Sequence, residues 1–504
     1  MLNENFILEI AKSSIEQKEL DDLVRALGEN RLPLRDPCMA GTRLDILQEI
    51  ETRINSTHGH NVIWIRGSPG VGKSALAASI TIRLLDQKRH VIWFRFDRTQ
   101  STTITTEALW RVVACGLARR YPCLHQQLAQ GNRELSSSSV DHLFETLIQE
   151  PLSTLVDISH EEFPVIVIDA LDECGGLRHD PSGRKDYDAL LRTLRRWVEV
   201  DHLKKLKLVI TSRPESRITQ TFPDSASTYV NIPSGSDVKP EDSASDDIRA
   251  FLKSRLDTME VEPEWIAKAL DYLVPRAVGV FIWATTVAEF LQDSPRVRFD
   301  ILEKRKRGDD TEGLDDLDSL YLTVITRSFG RALKPEIKAI TSVIGAMIFA
   351  KQPLDDTALM MLPGVQSAHM LNYIRDGLMS VIDLGPILRF HHRSFEDFLL
   401  SSFFRDHLPK LSDVQNRKLH ERQLAAMCLS CMVSSDLHFN MCNLESSSIK
   451  DVDIPTIDKS AISLLVSYSS QFWADHLVQT QHEEILMKAV EFVMYEKLLF
   501  WIKQ

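Results

Sequence analysis

Residues 67–74 read GSPGVGKS, a complete GxxxxGK[ST] phosphate-binding loop, and this octapeptide constrains the fold more than any other feature. The loop lies between an apolar run at residues 61–66 and a helical apolar pattern at residues 75–85. A strand, this loop and a helix in that order form the phosphate-binding unit of a parallel α/β fold. Nucleotide binding is therefore the leading hypothesis from the sequence.

The loop chemistry assigns a role to each part of the octapeptide. Its glycines let backbone N–H groups point at the β-phosphate, while Lys73 reaches the β- and γ-oxygens and Ser74 ligates Mg²⁺. The following helix presents its N-terminus to the same anion. The residues predicted to bind nucleotide here are Gly67, Ser68, Pro69, Gly70, Val71, Gly72, Lys73, Ser74 and Ala75.

A second apolar run, residues 163–169, is typical of a strand in the middle of a parallel sheet. It ends in Asp169, which is predicted to hold Mg²⁺ or its water opposite Ser74. Asp172 and Glu173 follow and are candidates to position or activate an attacking water. The alternative is an acidic loop without a role, but three acids within five residues are costly to hold together without a cation.

The third run, residues 206–214, again leads from apolar to polar residues at its carboxyl end. Arg213 lies where it can sense a γ-phosphate. The alternative is that Arg213 is a surface residue without a role.

Three further segments carry a family resemblance. Residues 34–43 read LRDPCMAGTR, residues 169–173 read DALDE, and residues 389–399 read RFHHRSFEDFL. Together with the P-loop they resemble the NACHT family of signal-transducing NTPases, which belongs to the STAND and NLR-like class. The resemblance is greatest to fungal NACHT proteins related to heterokaryon-incompatibility factors, whose NTPase region is described as nephrocystin 3-like. With QFWADHL at residues 471–477, the likeness covers roughly residues 30 to 500.

The resemblance adds residues to the predicted site. It implies that Thr42 and Arg43 bind the cofactor and that His392, from a winged helix, contacts the bound diphosphate. His391 is the alternative, and without the family either residue is read as a structural histidine. Related switch NTPases often place a proline against the base, whereas this chain has Phe281 at that position. Base recognition therefore stays open between ATP or ADP and GTP.

Composition narrows the class. A chain of 504 residues with 43% hydrophobic and 26% charged residues is globular and long enough for several cores. The start lacks a secretory signal, and the longest apolar runs are too short to span a bilayer. Seven scattered cysteines suit a reducing compartment, so a cytoplasmic location is expected. A net charge of −12 argues against a nucleic-acid partner.

The pattern along the chain predicts an α/β P-loop NTPase sheet with helices on both faces, followed by helical and winged-helix domains. The predicted segments are an N-terminal helical segment 1–35, a NACHT NTPase domain 36–235, a small helical domain 246–308, a winged-helix domain 315–405 and a helical domain 406–504. No repeat period follows, so C-terminal WD40 repeats of the related proteins are expected to be absent.

The predicted function is a nucleotide switch, and the resemblance implies it more than the motifs do. ADP would hold a closed form, and ATP with Mg²⁺ would favour an open form that self-associates, with slow hydrolysis setting its lifetime. Two alternatives stay open: a nucleotide-inactive scaffold or decoy, and a P-loop kinase. The kinase reading leaves some 250 helical residues after the sheet without a clear use.

Overall fold

The computed structural model describes most of the chain. The described residues are 17–56, 59–100, 103–135, 139–155, 164–174, 181–223, 227–234, 238, 242–305, 316–365, 367–383, 385, 387–434, 437–438, 462–480 and 484–498. The chain divides into two compact units, Met1–Ala284 and Thr285–Gln504.

A five-stranded parallel sheet forms the centre of the first unit. Its strands are β1 Val62–Arg66, β2 Val91–Arg95, β3 Val165–Asp169, β4 Lys207–Ser212 and β5 Thr228–Asn231. They lie in the order β2-β3-β4-β1-β5, with every neighbouring pair parallel. The three strands predicted from apolar runs are β1, β3 and β4. Because β4 lies between the other two, the carboxyl ends of all three meet at the centre of one sheet edge.

Helices that pack in two hydrophobic cores cover both faces of this sheet. They are α1 at residues 17–27, α2 Leu44–Asn55, α3 Lys73–Asp86, α4 Thr106–Arg120, α5 His125–Glu134, α6 Val140–Phe144, α7 Glu150–Ser153, α8 Pro181–Glu199 and α9 Ser216–Thr221. The helices α10 Ser243–Leu256 and α11 Pro263–Ala277 follow the sheet and pack against each other. The next helix, α12 Phe281–Leu291, begins in the first unit and ends in the second. The predicted N-terminal helical pattern begins at residue 6, and its part up to residue 16 lies outside the described residues.

The alternation of side chains along β1 explains why a separate hydrophobic core lies on each face of the sheet. Ile63 and Ile65 pack in a core with α2 and α3, whereas Val62 and Trp64 pack in a second core with α4, α6 and α8. Successive side chains of a strand point to opposite faces, so one fully buried strand supplies both cores. The predicted α/β P-loop NTPase fold with a helical extension is confirmed.

The described residues of the second unit are mainly helical, with one small hairpin. Its helices are α13 Pro295–Arg305, α14 Asp316–Phe329, α15 Lys334–Phe349, α16 Asp356–Met360, α17 Ala368–Leu378, α18 Arg393–Leu399, α19 Ser402–His407, α20 Arg417–Val433, α21 Leu464–Val478 and α22 Glu484–Phe492. The strands β6 Ile382–Asp383 and β7 Arg389–Phe390 pair antiparallel after α17. Helices followed by a hairpin are the element order of a winged helix. The five-segment domain division stays a prediction.

A buried ion pair joins α20 to α21 within this unit. His476 Nδ1 lies 2.6 Å from Glu421 Oε2, and both side chains are fully buried. The Tyr468 hydroxyl meets His476 Nε2 at 2.7 Å. Burial raises the pKa of Glu421, but the hydrogen bond from His476 and the nearby Arg417 outweigh it, so the net shift is downward. The QFWADHL segment thus contributes to helix pairing through His476.

Of the helices in the described ranges, none is both long and apolar enough to cross a membrane.

Cys428 and Cys431 are buried on α20. The described residues contain no group of three or more His, Cys, Asp or Glu side chains that could hold a metal ion.

Neighbouring leucines on α3 provide a matched test of the packing. Leu84 is fully buried between the helix and the sheet, whereas Leu85 is 42% exposed. We expect Leu84→Ala to lower the free energy of unfolding by about 2–5 kcal/mol because it leaves a cavity, and Leu85→Ala to change it by less than about 1 kcal/mol. Denaturant unfolding of both variants measures this difference, and equal effects would contradict the placement of α3.

Candidate functional site

The phosphate-binding loop turns from β1 into α3 through two glycines with positive φ angles. Gly70 has a φ of 75° and Gly72 a φ of 95°, which are left-handed conformations that glycine adopts without a steric penalty. The helix begins at Lys73, directly after Gly72. Lys73 Nζ donates hydrogen bonds to the carbonyl oxygens of Gly67, at 2.9 Å, and Ser68, at 2.8 Å. The loop therefore has the shape that its sequence predicts.

Asp169 ends β3 in a nearly closed environment, with 6% of its surface exposed. Its Oδ1 accepts a hydrogen bond of 2.5 Å from Thr211 Oγ1 on the neighbouring β4. The Thr211 oxygen in turn accepts from the N–H of Ala170, at 2.9 Å. Burial raises the pKa of Asp169, while hydrogen bonds from Thr211 and from Ser74 oppose the shift. Ser74 and Asp169, the predicted metal ligands, are thus in direct contact.

Asp172 and Arg213 form a second pair at the same edge. The Arg213 N–H donates to Asp172 Oδ1 at 3.1 Å, and Arg213 Nε lies 3.4 Å from Asp172 Oδ2. Their side chains are 16% and 5% exposed, so the pair is largely shielded from water. Glu173 Oε2 accepts from the N–H of Arg98 at 3.4 Å. Arg213 is therefore not an isolated surface residue.

The charges at this edge act on Lys73. The pKa of Lys73 is lowered to about 8 because burial, with a smaller effect of the Arg213 charge, outweighs the opposing effect of Asp172, Asp169 and Glu173. The ammonium group is thus held where three carboxylates compensate only part of its lost hydration. A phosphate group bound at the loop would supply the remaining negative charge.

Arg43 is placed beneath the loop and contacts its backbone. Its side chain is buried, and Nη2 donates to the carbonyl oxygens of Val71, at 3.0 Å, and Gly279, at 3.4 Å. Asp247 on α10 accepts from the Arg43 N–H at 3.1 Å and lies 3.9 Å from its Nε. Arg43 has a φ of 58° at the start of α2. Thr42 is also buried and donates to a nearby carbonyl. Arg43 thus supports the loop from behind, whereas Thr42 bonds within its own segment, to Met39.

The first turn of α12 also packs against the loop. The Ile282 N–H donates to the carbonyl oxygen of Gly70 at 3.0 Å. A Cβ added at Gly70 would lie 2.0 Å from Ile282 Cγ2, closer than any real contact. Phe281, which stands at the proline position of related proteins, has its ring 4.9 Å from the Arg43 guanidinium carbon.

His392 lies in the second unit, at the N-cap of α18. Its Nδ1 accepts a hydrogen bond from the N–H of Ser394 at 3.1 Å and also contacts Ser394 Oγ at 2.7 Å. Since Nδ1 accepts, Nε2 carries the proton of the neutral ring. His391 instead lies 3.3 Å from Asp383. The role of either histidine at the nucleotide stays a prediction.

Sequence reasoning singled out the P-loop, Asp169, Asp172, Glu173 and Arg213, and the structure brings all of them to one sheet edge. It missed Thr211, which links Asp169 to β4. The available signal was a hydroxyl side chain among the last buried positions of β4, close to Arg213, the predicted γ-phosphate sensor. It also missed Asp247 and Ile282, because both are more than 170 residues from the loop in sequence and carry no motif.

The chain has a P-loop between β1 and α3 and an acid at the end of β3, and β4 lies between β1 and β3. These features define it as a P-loop NTPase in fold and site. Residues 41–213 match the sequence profile of the family described as Nephrocystin 3, N-terminal. The chain is 23% identical over 460 residues to the vegetative incompatibility protein HET-E-1 of Podospora anserina. The alignment covers 82% of this chain and 30% of that relative, so the chain spans under a third of the relative's length. The resemblance to NACHT-like STAND proteins is confirmed.

Two solved structures are similar to this chain at a lower sequence identity. A STAND protein with a tetratricopeptide repeat sensor from Pyrococcus horikoshii is 16% identical, with a TM-score of 0.39, covering 93% of this chain and 59% of that one. A Walker-type ATPase of Pyrococcus abyssi is 13% identical, with a TM-score of 0.33, covering 73% of this chain and 98% of that one. TM-scores this low do not establish a shared architecture. The assignment to this class of protein therefore depends on the match to the sequence profile and on the strand order of the sheet.

Gly70 and Gly72 provide a test of the loop packing. We expect Gly70→Ala to lower the free energy of unfolding by about 3 kcal/mol, because its methyl group collides with Ile282 and its φ is positive. Gly72→Ala should cost about 1 kcal/mol, since only its φ is unfavourable and the space beside it is open. Denaturant unfolding measures both. A second change, Ile282→Ala, should recover part of the Gly70→Ala loss; no recovery would mean that this contact is not the cause.

The lowered pKa of Lys73 predicts a pH dependence. The unfolded chain keeps the Lys73 proton up to about pH 10.5, whereas the folded protein releases it near pH 8. Between those values the unfolded state binds more protons, so stability rises with pH. We expect the nucleotide-free wild type to gain about 3 kcal/mol relative to Lys73→Met across this window. Parallel unfolding curves from pH 7 to 10.5 test this, and a constant difference would contradict the shift.

Proposed function

We propose that this chain is a nucleotide-dependent signalling switch. It binds ADP or ATP with Mg²⁺, with GTP as the alternative base, and hydrolyses the triphosphate slowly. The observation that carries the proposal is the convergence of Lys73, Asp169 and Arg213 on one sheet edge. This arrangement supports a site in which an ammonium group, a metal-binding acid and a guanidinium group would surround the end of a bound triphosphate.

The residues that meet here fit a magnesium ion. Ser74 and Asp169 present a hydroxyl and a carboxylate oxygen in contact, and oxygen atoms are the ligands that Mg²⁺ prefers. A bound Mg²⁺ supplies positive charge to the phosphate oxygens. The hydrogen bond from Thr211 holds the Asp169 carboxylate in one orientation from the side of β4.

Hydrolysis needs a group that orients water, and the two remaining acids differ in this respect. Asp172 is held by two contacts with Arg213, so it mainly fixes the position of the guanidinium group. We assign Glu173 as the residue that orients the attacking water. Arg213 contacts the γ-phosphate.

The switch itself requires differential affinity. A nucleotide shifts a conformational equilibrium only as far as it binds the two states differently. In the closed state, His392 donates from Nε2 to the diphosphate. In the triphosphate state, Arg213 and Mg²⁺ engage the γ-phosphate. The contact of His392 with the diphosphate is then released, and surfaces for self-association are exposed.

The nucleotide that copurifies with the protein tests this proposal. The protein is purified as wild type, Lys73→Ala and Lys88→Ala, denatured, and its released nucleotide identified by chromatography. Lys88 is an exposed lysine just after α3 and serves as the control. We expect close to one ADP per chain from the wild type and the control, and little from Lys73→Ala, because that variant lacks the ammonium group that contacts the phosphates.

The other outcomes separate the alternatives. No nucleotide in any variant, and none bound on adding ATP or GTP with Mg²⁺, would overturn the switch and favour the scaffold. Phosphate transfer only in the presence of a small acceptor would favour a kinase. Equal nucleotide in Lys73→Ala would place the binding site elsewhere.

A further inference from the structure

The structure points to a residue at the site that neither the motifs nor the comparisons single out. Arg95 is the last residue of β2 and pairs in register with Asp169 on β3. Because these strands are parallel neighbours, residues in register direct their side chains to the same face of the sheet. On this face, Arg95 and Asp169 line a cleft together with Ser74 from α3. Arg95 therefore lies on the metal side of the nucleotide site.

A second arginine reaches the same cleft from the segment before α2. Arg35 lines it, and nearby Arg31 lies over the Trp93 ring, with 3.8 Å between the guanidinium carbon and the ring centroid. Burial lowers the pKa of Arg95 and the neighbouring Arg35 charge lowers it further, while Asp97, Asp169 and Glu173 oppose the shift. Two guanidinium groups that share a cleft repel one another unless an anion lies between them.

The carboxylates nearby do not fully satisfy these charges. Asp169 accepts hydrogen bonds from Thr211 and Ser74. The Nε of Arg95 is buried and makes no hydrogen bond with any described residue. A guanidinium group presents a planar fork of donors that matches a phosphate group, so an anionic oxygen is the partner that this geometry suits.

We propose that Arg95, with Arg35 beside it, contacts the terminal phosphate of a bound nucleoside triphosphate and so distinguishes triphosphate from diphosphate. The inference rests on the proposed nucleotide site. The loop backbone and the N-terminus of α3 cradle the inner phosphates, so the γ-phosphate is the group that extends past Ser74 towards the strand ends. Arg213 approaches it from the β4 side and Arg95 from the β2 side. Two cations on opposite sides would recognise the additional charge of the triphosphate.

The test compares two nucleotides at saturating Mg²⁺. Calorimetry measures the affinity of wild type, Arg95→Gln and Arg89→Gln for ADP and for a non-hydrolysable ATP analogue. Arg89 precedes β2 at its opposite end and hydrogen-bonds to Asn55, so it controls for loss of one positive charge. We expect Arg95→Gln to weaken binding of the analogue about tenfold or more, and ADP less than about threefold, because only the analogue carries the contacted phosphate. Arg89→Gln should change neither affinity.

Three results would overturn the inference in different ways. Equal weakening of ADP and the analogue would mean that Arg95 acts by positioning Asp169. Unchanged affinity for both would mean that it contacts no phosphate. A wild type that binds neither nucleotide would refute the proposed function itself. Retained ADP binding shows that a variant is folded, and Arg95→Lys, which keeps the charge but loses the planar fork, should show an intermediate loss for the analogue alone.

Discussion

Opposite charges confined to one poorly hydrated edge of a parallel sheet are the constraint on which the rest of the site depends. Three acids lie within five residues at the carboxyl end of β3, and each would be costly to bury alone. Lys73, Arg213 and Arg95 compensate this charge, while the hydroxyls of Thr211 and Ser74 hold Asp169 by hydrogen bonds. Lys73 nevertheless has a lowered pKa, so the cations are not fully compensated. The edge is therefore suited to a further anion.

Strand order determines which groups meet at this edge. Since β4 lies between β1 and β3, Thr211 reaches Asp169, and Arg213 reaches Asp172. On the other side of β3, β2 brings Arg95 into register with Asp169. Had β3 paired directly with β1, the hydroxyl and the sensor arginine would lie elsewhere. The topology thus converts three separate motifs into one site.

Contacts behind the loop connect it to the following helices. Arg43 joins the Val71 carbonyl to the Gly279 carbonyl and pairs with Asp247 on α10. Ile282, at the start of α12, fills the space beside Gly70. These contacts connect the loop directly to α10, to the turn at Gly279 and to α12.

Much of the fold and site could be predicted because the chemistry is local. The P-loop requires its glycines, lysine and serine in consecutive positions, and the runs ending at Asp169 and Arg213 are typical of buried parallel strands. The sequence analysis did not predict β2 and β5. β2 is an apolar run, VIWF, that ends in Arg95, but no motif connects this arginine to the phosphate-binding loop. The functional reading of Thr42 and Arg43 came from family resemblance, and the structure shows Arg43 in contact with the loop backbone at the Val71 carbonyl.

The sequence by itself determined the class of protein, the phosphate-binding loop and the residue types needed for a nucleotide and a metal ion. Only the tertiary structure decided which of those residues are neighbours: Thr211 with Asp169, Arg213 with Asp172, Arg95 with the metal side, and Ile282 with Gly70. The physical reason is that motif spacing reflects local backbone geometry, whereas these contacts depend on strand order and on side chains far apart in the chain. Their energies come from burial and charge compensation, which arise only when the sheet has formed.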